Sequence, residues 1–219
     1  MHKNLPIWRQ YRVIERGEFF VIAGDCSQGG DDYNACQFMS KTRLDVPLVY
    51  HSQGVAAQMT RAVHPVIERI SDVTGIKPTV AFETANGGAS EMDTLDVLNK
   101  LGKYDLFTMP SIGKVSAPQS RILGYVTSGS TRPVVVGDLK DAVDKTVIGV
   151  YDIPTINEFY SFIKNKVGKP EAEAGMHDDL TISLGIAWQL AQICLAPEPV
   201  SQQAYEAVNT IMEQMRSKY

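Results

Sequence analysis

The sequence predicts an α/β protein with a mixed central sheet, an antiparallel meander plus parallel strands, flanked by helices. Three observations lead there. Phe19 to Ile22 is an unbroken apolar run, which reads as a strand buried on both faces, and strand-like segments follow it at hairpin spacing. Further on, one unit runs strand, acid, glycine turn and helix, the grammar of a parallel α/β layer. Late in the chain, Leu180 to Leu195 is apolar nearly all round, as a helix sunk in a core must be.

Taken in order, Met1 to Glu18 mixes charge with Pro6 and Trp8 and reads as a lead-in, part of which packs. The strand after it breaks at Ala23 and Gly24, just before Asp25. Cys26 to Asp32 has the vocabulary of a turn, and Tyr33 to Met39 resumes strand composition, giving a hairpin with Asp25 at an inner strand end. Pro47 to Gly54 makes a third strand. From Val55 the period changes: Met59, Val63, Ile67 and Ile70 mark an amphipathic helix that ends near Gly75. Thr79 to Thr84 is a short strand carrying Glu83, followed by Asn86, Gly87, Gly88 and a helix with Met92, Leu95, Leu98 and Leu101 on one face.

Asp105 to Pro110 is a fifth strand, and Ser111 to Gln119 a loop. Arg121 to Thr127 reads as helical. Pro133 to Asp144 fits both a valine-rich strand and a helical stripe, and helix is preferred. Thr146 to Val150 is strand-like; Ile153 to Lys164 is a helix with Ile156, Phe159, Tyr160 and Ile163 inward. A polar hairpin or loop, Lys164 to Gly175, then precedes Met176, His177, Asp178, Asp179 and the buried helix, and Ser201 to Met215 suggests a last amphipathic helix. The domain division expected is 1–18 lead-in, 19–195 α/β domain and 196–219 helical extension.

With 219 residues the chain can bury a substantial core. Lys plus Arg, 21, against Asp plus Glu, 25, gives a charge of −4, which argues against gripping nucleic acid by bulk electrostatics but leaves room for a local basic groove. Cys26, Cys36 and Cys194 lack C-x-x-C spacing, so neither a disulfide framework nor structural zinc is indicated. No apolar run has transmembrane length, and no membrane partner is expected.

Three acidic positions carry the chemistry: Asp25 and Glu83, each at a buried strand end, and the Asp178–Asp179 pair opening a buried helix. A buried carboxylate costs several kcal/mol unless paired or metal-bound. Each alone has an ordinary explanation, as strand cap or helix cap. Together they fit a shared site at the strand ends of an open sheet, where repulsion between like charges calls for a divalent cation. Hard oxygen ligands suit Mg²⁺ or Mn²⁺, and two such ions about 3.5–4 Å apart serve phosphodiester hydrolysis. His177 either orients a water or ligand or is structural.

The motifs IAGDCSQGGDDYNA, AFETANGG and AGMHDDLTISLGIA, in that order, resemble the nuclease domain of the large terminase subunit of tailed bacteriophages, a member of the ribonuclease H-like superfamily. The likeness runs from about Phe19 to Ala191. It implies a ribonuclease H-like fold and an endodeoxyribonuclease that cuts double-stranded viral DNA concatemers during genome packaging. It further implies that Asp25, Glu83 and Asp178 or Asp179 bind two catalytic Mg²⁺ or Mn²⁺ ions. The second acid of the H-D-D pair is either a direct ligand or one that moves a ligand into place. Asp32 matches a position near the site, read as structural, and Asn86 belongs to the E-x-x-N-G-G motif. The partners implied are the terminase ATPase domain, the small terminase subunit and the portal protein, and the setting is the host cytoplasm. No G-x-x-x-x-G-K-[ST] loop is present, so the ATPase motor is expected to lie outside this chain.

Candidate phosphate contacts are Lys164, Lys166 and Lys169 before the H-D-D motif and Lys114 and Arg121 after the fifth strand, against the alternative of solvated charged loops. Competing readings are another ribonuclease H-like nuclease, such as a resolvase or transposase core, and a non-catalytic docking module of the packaging motor.

Overall fold

A strand covered on both sides needs helices on both sides of its sheet, and the chain folds that way. The structure is a computed structural model that describes residues 6–110, 121–164, 170–172 and 177–196. Four strands, β1 (Trp8–Gln10), β2 (Phe20–Asp25), β3 (Gln28–Ser40) and β4 (Asp45–Val55), pair antiparallel. Helix α1 (Ala56–Thr74) crosses over to β5 (Thr79–Phe82), which lies parallel to β2, and α2 (Gly88–Leu98) crosses to β6 (Asp105–Leu106), parallel to β5. Short strands β7 (Thr108–Pro110) and β8 (Arg121–Leu123) form a separate ribbon. Then come α3 (Arg132–Asp144), β9 (Gly149–Val150), α4 (Ile153–Ser161), the hairpin β10 (Phe162–Lys164) and β11 (Pro170–Ala172), and α5 (Asp179–Ile193). The central sheet runs β1-β4-β3-β2-β5-β6, with β9 beside β4.

The two-residue period of the strands sorts the core into two layers. Phe20, Ile22, Phe38, Val80 and Phe82 face Met59, Val63, Ile67 and Ile70 of α1 and Met92 and Leu95 of α2. Val21, Ala23, Ala35, Val49 and Ala81 face the other way, onto α5 and onto Val135, Leu139 and Ala142 of α3. α5 is buried along almost its whole length, which explains why its sequence has no polar stripe. β1 binds the lead-in to the β4 edge, where Trp8 packs edge-on against Tyr50 at 4.9 Å. The three cysteines are free.

Several expectations of the sequence are corrected. The turn read over Cys26 to Asp32 narrows, because β3 already starts at Gln28; Gly29 and Gly30 take left-handed φ of 99° and 81°, and the register with β4 slips between Gln28 and Tyr33. Arg121 to Thr127 is not a helix. Ile122 pairs with Met109 across the β7–β8 ribbon, and Gly124 turns at φ 98°. The fifth strand splits in two: β6 pairs with β5, whereas β7 pairs with β8. α2 stops at Leu98, leaving Leu101 73 % exposed. α4 is shorter than expected and its inward face differs in part: Phe159 packs against the core as expected, but Tyr160 is 84 % exposed, and Thr155, Glu158 and Ser161 are buried. The last helix expected, near 201–215, lies outside the described residues.

Candidate active site

Continuing the alternation of Val21 and Ala23 places Asp25 on the α5 face at the end of β2, and Ala81 does the same for Glu83 beyond β5. Both acids are held by their backbones. Asp25 pairs with Ala35 across the hairpin, whose entry is fastened by buried Asn34: its Oδ1 accepts from Ser27 N at 2.8 Å and its Nδ2 donates to Gly54 O at 2.6 Å. Glu83 N donates to Gly24 O at 2.8 Å, and Glu83 bridges to Tyr125. A glycine is required at 88, because a Cβ there would stand 1.7 Å from Glu83 O. Asp178 occupies the N-cap position of α5 and Asp179 its first residue, where the helix dipole favours negative charge. Glu158, on α4, braces that turn: its Oε2 accepts from Thr181 N at 2.9 Å and Thr181 Oγ1 at 3.2 Å.

These segments meet around a cavity of about 350 Å³ lined by Asp25, Asp32, Glu83, Asp178 and Asp179, with Asn86 and Arg132 at its walls. Arg132 forms an ion pair with Asp178. Burial, followed by the charge and hydrogen bond of Glu83 and the charges of Asp179 and Asp178, raises the Asp25 carboxyl well above the ordinary carboxylate range. Asp179 is pushed up to about 8, by burial first and then by Asp32 and Asp178. Its Oδ2 is buried without a hydrogen-bond partner among the described residues. Two tight clusters, each with ligand atoms within 4.8 Å of one another, include Asp179: Asp32–His177–Asp179 and His51–Glu158–Asp179. Asp25 and Glu83 belong to neither and line the same cavity. Among the described residues, excess carboxylate faces one arginine, with an orphaned acid oxygen among it; this is the donor chemistry of a hard divalent cation, and the acidic cluster can hold a metal ion.

No family model matches the sequence, and no curated protein matches it. Solved structures do. The large terminase nuclease of thermophilic phage G20c with bound magnesium superposes with a TM-score of 0.57 at 16 % identity, covering 85 % of this chain and 88 % of that one. This is the terminase nuclease fold. The human cytomegalovirus terminase nuclease domain, Mn soaked and inhibitor bound, gives 0.54 at 12 % identity over 80 % and 83 % of the two chains. The P22 large terminase nuclease domain gives 0.50 at 15 %, over 84 % and 87 %.

Within the terminase nuclease fold, the structure brings Asp25, Glu83, Asp178, Asp179, Asp32 and Asn86 to one cavity. Asn86 takes a left-handed φ of 51°, a conformation asparagine tolerates, and shapes the turn after Glu83. His177 stands beside the cavity, its Nδ1 3.7 Å from Asp179 Oδ2 and 3.8 Å from Asp32 Oδ1, with its ring edge-on to Tyr33. Arg121 is exposed on β8, and Lys164 ends β10. Lys114, Lys166 and Lys169 lie outside the described residues. Sequence reasoning missed Arg132, Glu158 and His51. Glu158 had a signal, since Thr155, Glu158 and Ser161 recur at three-residue spacing on one side of α4; Arg132 and His51 had none, because only tertiary packing brings them to the acids.

Proposed function

We propose that the chain is a metal-dependent endodeoxyribonuclease that cuts double-stranded viral DNA concatemers during genome packaging by two-metal-ion hydrolysis. The observation that carries the reading is the meeting of Asp25, Glu83, Asp178 and Asp179, from three separated segments, at one cavity of a fold shared with terminase nucleases. The magnesium bound in the phage G20c relative and the manganese soaked into the cytomegalovirus one support the choice of ion.

The four acids would hold the ions. Divalent cations bound by carboxylates supply an acidified water and stabilise charge on a leaving 3′ oxygen. The chain's own contribution is preorganisation: Asp25 and Glu83 ride on the ends of adjacent core strands, and Asp178 and Asp179 on the first turn of a buried helix, so none has to be ordered when DNA arrives. Arg132 offsets Asp178 within the acidic cavity. Arg121, with Lys114, Lys164, Lys166 and Lys169, would contact phosphates without reading bases. A chain of charge −4 would hold DNA weakly and lose it with salt, leaving placement on the genome to the terminase ATPase domain, the small terminase subunit and the portal protein in the host cytoplasm. Residues 19–195, with β1 of the lead-in added to the edge of the sheet, would form the nuclease unit, and 196–219 an extension.

The test is cleavage of duplex plasmid DNA. Wild type should cut with Mg²⁺ or Mn²⁺ and not with EDTA, and Asp25→Ala should slow cutting by about 10²-fold or more, equivalent to about 2.7 kcal/mol of transition-state stabilisation. Equal cleavage by the two folded proteins would end the proposal.

A further inference from the structure

We propose that His51, Glu158 and Asp179 form a separate binding site for a divalent transition-metal cation of the manganese, cobalt and zinc class. It lies beside the carboxylate cavity and shares one acid with it. The three residues come from β4, α4 and α5, and each is more than nine-tenths buried, at 6 %, 4 % and 8 % exposure. One ligand atom from each lies within 4.8 Å of the others. Around an ion with bonds of about 2.1 Å, such atoms stand roughly 3–3.5 Å apart, so small side-chain movements close the set.

The observation that points to a ligand is independent of this clustering. Glu158 uses one oxygen, Oε2, to brace the first turn of α5. Its other oxygen, Oε1, is buried with no hydrogen-bond partner among the described residues, and Asp179 Oδ2 is in the same condition. A buried carboxylate oxygen without a hydrogen-bond donor carries a desolvation cost of several kcal/mol that a cation held by the three residues would offset; Asp179 Oδ2 has the His177 Nδ1 at 3.7 Å near it. The neighbours are ordered to receive an ion. Tyr33 stacks on the His51 ring at 4.5 Å, and Gln37 Nε2 ties α4 to α5 through Thr155 Oγ1 and Leu180 O.

One imidazole nitrogen with two carboxylate oxygens is a mixed donor set that favours Mn²⁺, Co²⁺ or Zn²⁺ over Mg²⁺. Asp179 lines the cavity and so provides the way in. An ion here would fix the Asp179 carboxylate and so set how that residue faces the cavity. The inference does not require the chain to be a nuclease, because its readout is binding.

The experiment is a Mn²⁺ titration of the full chain, counted by electron paramagnetic resonance, with anomalous diffraction from Mn²⁺-soaked crystals. Wild type should show an anomalous peak among His51, Glu158 and Asp179 that tenfold excess Mg²⁺ does not displace. Glu158→Gln, which keeps the side-chain shape, and His51→Gln should each bind one Mn²⁺ fewer per chain. Asp25→Asn should keep this peak while weakening binding in the cavity, which separates failure here from failure of the nuclease reading. Equal Mn²⁺ counts in wild type and Glu158→Gln, or a wild-type map without that peak, would overturn the proposal. The wild-type map decides alone should either variant fail to fold.

Discussion

Arg9 and Asp152 show how far a single residue pair can tie the lead-in to the body. Both are buried, and the guanidinium reaches the carboxylate twice, Nε to Oδ1 at 2.5 Å and Nη2 to Oδ2 at 3.1 Å. Tyr11 Oη donates to the same carboxylate at 2.6 Å, and Thr155 donates twice, through N at 2.9 Å and Oγ1 at 2.7 Å. Burial alone would raise the Asp152 carboxyl; the bonds from Arg9, Tyr11 and Thr155 outweigh it and hold the group below its ordinary value. The folded state therefore takes up this proton less readily than the unfolded chain, so the stabilisation is complete above the unfolded pKa of about 4 and is lost as pH falls below it. Removing the charge leaves Arg9 buried without its partner. Asp152→Asn should lower stability by about 3 kcal/mol at neutral pH. Urea unfolding of the two proteins checks this, and the gap between them should narrow as pH falls below about 4. A gap independent of pH would mean that the pair contributes shape and not charge.

At the scale of elements, the turn between β5 and α2 fixes where Glu83 points, and Gly88 permits it. A methyl group at 88 meets the Glu83 carbonyl oxygen, a backbone atom that cannot swing aside, so Gly88→Ala must move either the helix start or the acid. The expected cost is about 1–3 kcal/mol of stability, together with weaker Mn²⁺ binding, read by thermal melts and titration. Unchanged melting and binding would show that the turn yields freely. This turn was legible because acid, glycine and helical period are local signals, and the same holds for α1, α5 and the acids at β2, β5 and the α5 start. α4 was not. Its apolar residues suggested one inward face, and Phe159 keeps to it, but part of the neighbouring surface is the polar edge of the site, so packing turned Thr155, Glu158 and Ser161 inward and left Tyr160 in water. β8 failed for a related reason. A three-residue strand exists because β7 lies beside it, and no local period announces a partner.

For the whole molecule, folding gathers the carboxylates of Asp25, Asp32, Glu83, Asp178 and Asp179 at one cavity, against one arginine among the described residues. Folding must therefore do work against charge, and whatever neutralises that charge should stabilise the fold. A cation that binds only the folded state adds RT ln(1 + [L]/Kd), about 2.7 kcal/mol at a hundredfold excess over Kd, which for a chain of this size raises Tm by about 5–10 °C. Asp25→Asn keeps the shape of a buried cavity acid and removes its charge, so it should melt above wild type in EDTA. It should also gain less from Mg²⁺, because one of the groups that would hold the ion is gone. Differential scanning calorimetry of both proteins at neutral pH, with Mg²⁺ and with EDTA, measures the two effects together. If Mg²⁺ left wild-type Tm unchanged and Asp25→Asn melted no higher than wild type in EDTA, the acids would be at ease without a cation. Their convergence would then need an explanation other than metal binding.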